Sequence, residues 1–173
     1  MRTKTTNKRR SFPFLILPVL AILLALVVSN FLVVLAYVPS ASMADTIPEG
    51  SILVGSRLVY RSRMPAYGEI VLFRHEETGN TWLIKRVIAV GGDTFAVENG
   101  TVYRNGEPLD EPYCSSFSEE TVAPITVPDG MLILLGDHRA ASVDARFWEN
   151  PFVSVEDVVG QAVFLVFPRF SAL

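Results

Sequence analysis

"TWLIKRVIAVGGDTFAVENGTVYRNG", residues 81 to 106, decides the fold class. Its three runs, TWLIKRVIAV, DTFAVENG and TVYRNG, are rich in β-branched and aromatic residues and are punctuated by turn formers, which reads as consecutive strands. Asn99-Gly100 and Asn105-Gly106 are strong hairpin signals, because Asn and Gly adopt positive φ at little cost. Runs of the same kind occur at 51–60 (SILVGSRLVY), 68–75 (GEIVLFRH), 131–137 (MLILLGD) and 158–167 (VVGQAVFLVF). After Pro39 no stretch repeats apolar residues at helical spacing, and the best candidate is a short turn from Ser154 to Val158. The expectation is a mainly β domain, an antiparallel sheet folded or closed into a barrel so that its edges are hidden. About 135 residues suffice for a real core. The segment CSSFSEETVAP, 114–124, is the expected long surface loop.

Ahead of this domain the chain changes character. Arg2, Lys4, Lys8, Arg9 and Arg10 crowd the first ten residues, and every Asp and Glu lies at or beyond Asp45. From Asp45 onward ten basic residues face eighteen acidic ones, which disfavours nucleic acid as a partner. No charge occurs between Ser11 and Ala44, and Phe14 to Val38 is 25 mostly apolar residues. A membrane-crossing helix needs about 20 such residues, whereas the apolar part of a cleaved leader has about 7 to 15. The division expected is a cytoplasmic basic tail over 1–11, a transmembrane helix over 12–38 and an extracytoplasmic domain over 39–173. The positive tail stays inside, giving a single-pass protein of the cell membrane with the lipid bilayer as a partner. The junction "VPSASMADT", 38–46, reads in two ways: Ser42-Met43-Ala44 resembles a leader cleavage site, or Ser42 is itself a nucleophile. The length of the apolar run favours the second.

The side chains able to carry chemistry are few. Cys114 is the sole cysteine, so no intramolecular disulfide and no thiolate metal site can form, and His75 and His138 are too few for a histidine-rich zinc site. A Cys114 nucleophile with a histidine base has no supporting motif. Lys85 is the sole lysine after Lys8. Alternation along 81–90 puts it between Leu83 and Val87 on one face, where burial would lower its pKa toward that of a general base. The other reading is an edge-strand lysine that reaches to water. A serine is a poor nucleophile until a base takes its proton, so Ser42 and Lys85 make sense together. Ser40, two residues earlier, is placed to donate to an oxyanion alongside the Ser42 amide. The block "LLGDHRAASVDARFW", 134–148, packs Asp137, Arg139, Asp144 and Arg146 together as two potential carboxylate–guanidinium pairs. Ser142 within it is a candidate to orient the lysine, or an ordinary turn serine.

With these residues in view, the order of basic tail, apolar segment, "PSASM", "IKRVIAVGGDTF" and "GDHRAASVDAR" resembles type I signal peptidase, a membrane-anchored serine–lysine protease. The resemblance spans nearly the whole chain and is to the short, Gram-positive form. The family box P-S-x-S-M-x-P-T-L falls on Pro39 to Ile47, which implies Ser42 as nucleophile and Ser40 and Ser42 as the oxyanion donors. The lysine box falls on Lys85 to Asp93, implying Lys85 as base. The G-D-N-R-x-x-S-x-D-S-R box falls on Gly136 to Arg146, implying Ser142 as the orienting group, with Asp137, Arg139, Asp144 and Arg146 shaping the site. Motif position implies small pockets lined by Val38, Met43, Ile47 and Ile84. Four positions depart from the boxes: Asp45 for proline, Gly91 for a common proline, His138 for asparagine and Ala145 for serine. Asp45 would hold Lys85 protonated if it pointed inward, and the expectation is that it points out. The implied substrates are signal peptides with A-x-A sites on exported preproteins, the implied partner is the protein-export machinery, and no metal or other cofactor is implied. A specialised pilus- or conjugation-linked protease would carry the same motifs, and a catalytically silent β binding module is a third reading.

Overall fold

The computed structural model describes residues 13–27, 31–79 and 81–173. The basic tail expected over 1–11 lies outside them. The first element is a helix, α1 (Pro13–Val27), which begins on a proline, where a missing N–H is harmless. Its 15 residues rise about 22 Å. Among the described residues no helix is long and apolar enough to cross a membrane.

The single helix expected over 12–38 is therefore corrected. Its last third is a strand, β1 (Val33–Tyr37), paired antiparallel with β2 (Ile52–Ser56), with Val33 opposite Ser56 and Tyr37 opposite Ile52. Alternation explains the change: Val34, Ala36 and Val38 are buried in the core, while Leu35 and Tyr37 are exposed. A short apolar run fits helix and strand equally until the neighbouring strand edge is known.

The remaining strands are β3 (Ile70–Arg74), β4 (Trp82–Val90), β5 (Thr94–Glu98), β6 (Thr101–Arg104), β7 (Glu107–Pro108), β8 (Val122–Thr126), β9 (Met131–Leu135), β10 (Val153–Ser154), β11 (Val158–Phe167) and β12 (Ser171–Ala172). The large sheet runs β1-β2-β11-β3-β4-β9-β10, with β12 also pairing β11, and a smaller sheet runs β7-β6-β5-β8. All pairings are antiparallel. The protein is mainly β, as expected.

Strand β3 shows why the sheet is buried on both sides. Val71 and Phe73 enter one apolar cluster with Phe95, Val97 and Val102 of the small sheet, while Ile70 and Leu72 enter a second with Val34, Met43, Ile47 and Leu53. The small sheet thus closes one face, and β1, β2 and the segment around Met43 close the other. Each fully buried Leu, Ile or Phe contributes about 1.5 to 3 kcal/mol.

Asn99 and Gly100 (φ 47° and 81°) turn β5 into β6, and Asn105 and Gly106 (φ 56° and 81°) turn β6 into β7, as the sequence predicts. The turn expected at 154–158 is a single 3-10 turn, Val155–Asp157, capped by Ser154 Oγ accepting from the Glu156 amide at 3.2 Å. The expected loop over 114–124 ends early, because Val122 to Thr126 pairs with β5 as β8. In β4 the alternation holds through Leu83, Lys85 and Val87. At Ile88 a bulge intervenes, so that Val87, Ile88 and Ala89 all join the first cluster.

Candidate active site

Ser42 sits on a single 3-10 turn, Ala41–Met43. So short a turn has little stability of its own and is held by what it touches. The Met43 side chain is buried in the second cluster, and its Sδ accepts from the Asp137 amide at 3.4 Å. The Ile47 amide donates to the Met43 carbonyl at 2.6 Å, and the His138 amide donates to the Ser42 carbonyl at 3.1 Å. The Ser42 backbone is pinned while its hydroxyl stays half-buried, 3.4 Å from Ser40 Oγ.

Lys85 lies mid-strand in β4, opposite Val71 of β3, and is 3 % exposed. Burial pushes its ammonium down from the ordinary lysine value to about 8; Asp144 opposes this, Arg146 adds to it and Asp137 opposes it. Lys85 Nζ donates to Ser142 Oγ at 2.8 Å, and Ser142 Oγ donates to Asp144 Oδ2 at 2.6 Å. A serine hydroxyl has one proton. Since that proton is on the Asp144 bond, Ser142 receives an N–H from Lys85 and leaves the lone pair of the neutral amine unused. The water-reaching reading of Lys85 is thereby set aside.

The charges around this relay are matched, though not all within one block. Arg146 Nε bonds Asp144 Oδ1 at 2.8 Å, and its other nitrogens bond Ser118 Oγ and the carbonyls of Arg139 and Ser142. Of the two carboxylate–guanidinium pairs that the block could form within itself, the structure forms one, Asp144 with Arg146. Asp137 takes Arg86 at 2.6 Å and Thr46 Oγ1 at 2.6 Å, while Arg139 takes Glu111 at 2.5 Å. Both choices are made by strands and loops remote in sequence. Arg86 faces away from Lys85 on β4 and is stacked over Tyr113 at 4.0 Å.

Asp45 does not point out to water as expected. Its side chain is 8 % exposed, bonded to His138 Nδ1 at 2.8 Å and to the Ser115 amide at 2.7 Å. Burial alone would raise this carboxyl, but the His138 and Ser115 bonds outweigh it and hold the pKa at about 2. The charges that act on Lys85 are Asp144, Arg146 and Asp137, so Asp45 is not what sets its protonation.

Gly136 escaped the sequence reading. A Cβ there would overlap Ser142 Oγ and the Ser42 carbonyl oxygen, so only glycine lets the Ser42 turn and the Lys85 relay close on each other. Its amide also donates to Asp144 Oδ2 at 3.0 Å. The G-D dipeptide after an apolar strand was the available signal, but it does not say what approaches. Val38, Met43 and Ile47 are buried beneath the Ser42 turn, with Ile84 packed against the same cluster. Cys114 is half-buried, its Sγ 3.3 Å from the Ser116 carbonyl, and burial pushes its thiol up, away from a reactive thiolate. His75 stacks on Trp148 at 4.1 Å and His138 is bonded to Asp45, so neither serves Cys114.

The Ser42 turn and the Lys85–Ser142–Asp144 relay meet at Gly136, which brings a half-open hydroxyl and a desolvated amine to the same end of the sheet. Comparison with known proteins makes the class specific. The chain belongs to the signal peptidase family, peptidase S26, whose model matches residues 12–167. It is 36% identical over 156 residues to a probable signal peptidase I-1 of Synechocystis, covering 86% of this chain and 78% of the relative. It is 31% identical over 176 residues to signal peptidase I of Bacillus licheniformis, covering 95% of this chain and 94% of the relative. A crystal structure of a signal peptidase I from Enterococcus faecalis aligns at 28% identity and a TM-score of 0.49, covering 57% of this chain and 97% of that one. The protein is a peptidase.

Proposed function

We propose that this protein removes N-terminal signal peptides with A-x-A sites from exported preproteins, with Ser42 as nucleophile and Lys85 as general base. The observation that carries the reading is the relay Lys85–Ser142–Asp144, which orients a desolvated amine without consuming its lone pair. Neutral Lys85 takes the Ser42 hydroxyl proton as Oγ attacks the scissile carbonyl carbon. The Ser42 amide and the Ser40 hydroxyl donate to the oxyanion that forms. Collapse breaks the C–N bond, and the Lys85 ammonium returns its proton to the departing amine. Water, deprotonated by the same lysine, then cleaves the Ser42 ester and releases the acid. Asp144 and Arg146 hold Ser142, while Asp137 and Arg139 hold the backbone that faces the nucleophile turn.

Val38, Met43, Ile47 and Ile84 form the apolar floor under Ser42, and in this reading they restrict the neighbouring substrate positions to small side chains. The apolar segment ahead of β1 holds the chain at the cell membrane, with the basic tail cytoplasmic and the β domain outside, where export machinery delivers substrate. The exposed Leu17, Leu20, Ile22 and Leu24 of α1 suit a lipid surface. The test is cleavage of an A-x-A preprotein by the purified full chain. Wild type cleaves, and Ser42→Ala and Lys85→Ala do not; cleavage by Ser42→Ala at the wild-type rate would overturn the proposal.

A further inference from the structure

The Asp45 carboxylate is the point where three segments meet. It lies three residues after Ser42, and it accepts from His138 Nδ1 at 2.8 Å, from the Ser115 amide at 2.7 Å, and from the Ser116 amide at 3.3 Å and hydroxyl at 3.4 Å. His138 belongs to the block that carries Ser142, and its own amide donates to the Ser42 carbonyl at 3.1 Å. Ser115 and Ser116 belong to the long loop between β7 and β8 of the small sheet, which is tied to the same block again by Glu111 to Arg139 and by Ser118 to Arg146. One acidic side chain therefore fastens the nucleophile turn to the lysine-orienting block and to the small sheet. The two partners Asp45 and His138 are also two of the four positions that depart from the family boxes, and here they are bonded to each other.

We propose that Asp45 is a positioning residue for the reaction: with His138 and the Ser115 and Ser116 amides it clamps the turn bearing Ser42 against the block bearing Ser142. It does not touch the reacting atoms. Aspartate does not fix its own φ as a proline ring would, so the placement of this segment depends on its tertiary contacts. Four hydrogen bonds to one ionised carboxylate supply a tertiary restraint, each stronger than a neutral bond because the acceptor is charged. The low pKa of this carboxyl, about 2, keeps the acceptor ionised throughout the range in which Lys85 titrates.

The inference rests on Ser42 being the nucleophile, and the experiment separates the two claims. Full-length wild type, D45N, D45A, H138A and the D45A/H138A double variant are assayed for kcat and KM on one preprotein, well below the Tm of each. Hydrogen exchange at the Ser115 and Ser116 amides is measured on the same proteins. D45A is expected to lower kcat about tenfold, because misplacing a reacting group by a fraction of an ångström is enough. KM should stay within about twofold, since no substrate contact is removed. D45N, whose side-chain oxygen still accepts from the amides, should recover most of the loss. The double variant should be no worse than D45A alone, because His138 acts through Asp45. Exchange at 115 and 116 should quicken in D45A and stay slow in S42A. A wild-type kcat in D45A, or single losses that multiply in the double variant, would overturn the clamp. If D45A does not accumulate, D45N and H138A decide by the same kcat criterion. Failure of wild type to cleave any signal peptide would overturn the functional reading instead, and the exchange data would still report whether the clamp exists.

Discussion

The two halves of the site are built on opposite grounds. Lys85 stands in the middle of a nine-residue strand between two others, almost wholly enclosed, with its nitrogen bonded at 2.8 Å. Ser42 stands on a three-residue turn, half-open, with its hydroxyl near one partner at 3.4 Å. In the proposed reaction the base has to be neutral at working pH, and burial inside the sheet is what lowers the Lys85 pKa. The proposed nucleophile has to meet a substrate arriving from solvent, and the turn leaves Ser42 partly accessible to it. Position is therefore provided by the sheet for the base and by loop-to-loop bonds for the nucleophile.

The sharpest break of this comparison is to delete either half. Ser42→Ala, Lys85→Ala and Lys85→Arg should each lower kcat on a preprotein by about 10⁴-fold or more, the arginine because it does not release a proton. Lys85→Met, equally inactive, should be more stable than wild type by about 2 kcal/mol at neutral pH in urea unfolding. The sign follows from the depressed pKa. Above about 8 folded Lys85 is neutral while the unfolded lysine still binds a proton up to its ordinary value, so wild-type stability should rise with pH across that window and the Lys85→Met curve should not. Equal slopes would show that Lys85 is not desolvated.

Gly136→Ala attacks the seam between the halves. The added methyl meets Ser142 and Ser42 together, so kcat should fall about 100-fold and stability by about 1 to 3 kcal/mol. A fully active Gly136→Ala would mean that the halves do not close as tightly as described. Next in size is the charge balance around the base. Wild-type activity should fall as pH drops through about 8, where Lys85 gains its proton. Because Asp144 favours the charged lysine and Arg146 disfavours it, Asp144→Asn should move this acid limb to lower pH and Arg146→Met to higher pH. Each should also lose about tenfold in kcat through looser orientation of Ser142. An acid limb unmoved in both would assign it to another group. The smallest effect is expected away from the seam: Arg63→Met, which breaks an exposed pair with Glu69, should cost under about 1 kcal/mol and leave kcat unchanged.

Much of this was legible before folding was considered, and the part that was not has a common cause. The hairpins at Asn99-Gly100 and Asn105-Gly106 depend on the φ preferences of two adjacent residues, so they appear in the chain directly. The conspicuous position of Lys85 in β4 follows from alternation, which is equally local. By contrast, Val33–Tyr37 was read as the end of a helix because its apolar composition is compatible with both periods, and only the pairing with β2 selects the strand. The 136–146 block offered two acids and two arginines, but the guanidiniums that Asp137 and Arg139 could meet or leave were decided by Arg86 on β4 and Glu111 on the small-sheet loop.

Asp45 and Gly136 complete the contrast. Nothing near Asp45 in sequence reveals a partner 93 residues away, and nothing near Gly136 says that the Ser142 side chain and the Ser42 carbonyl close on it. The sequence by itself determined the β class, the tight turns and which few side chains could be candidates for chemistry, because propensity, turn geometry and functional-group type belong to single residues and their neighbours. The tertiary structure alone decided that Val33–Tyr37 pairs as a strand, which charges pair and how Lys85 is buried, because burial and ion-pair choice depend on segments that meet only when the sheet folds.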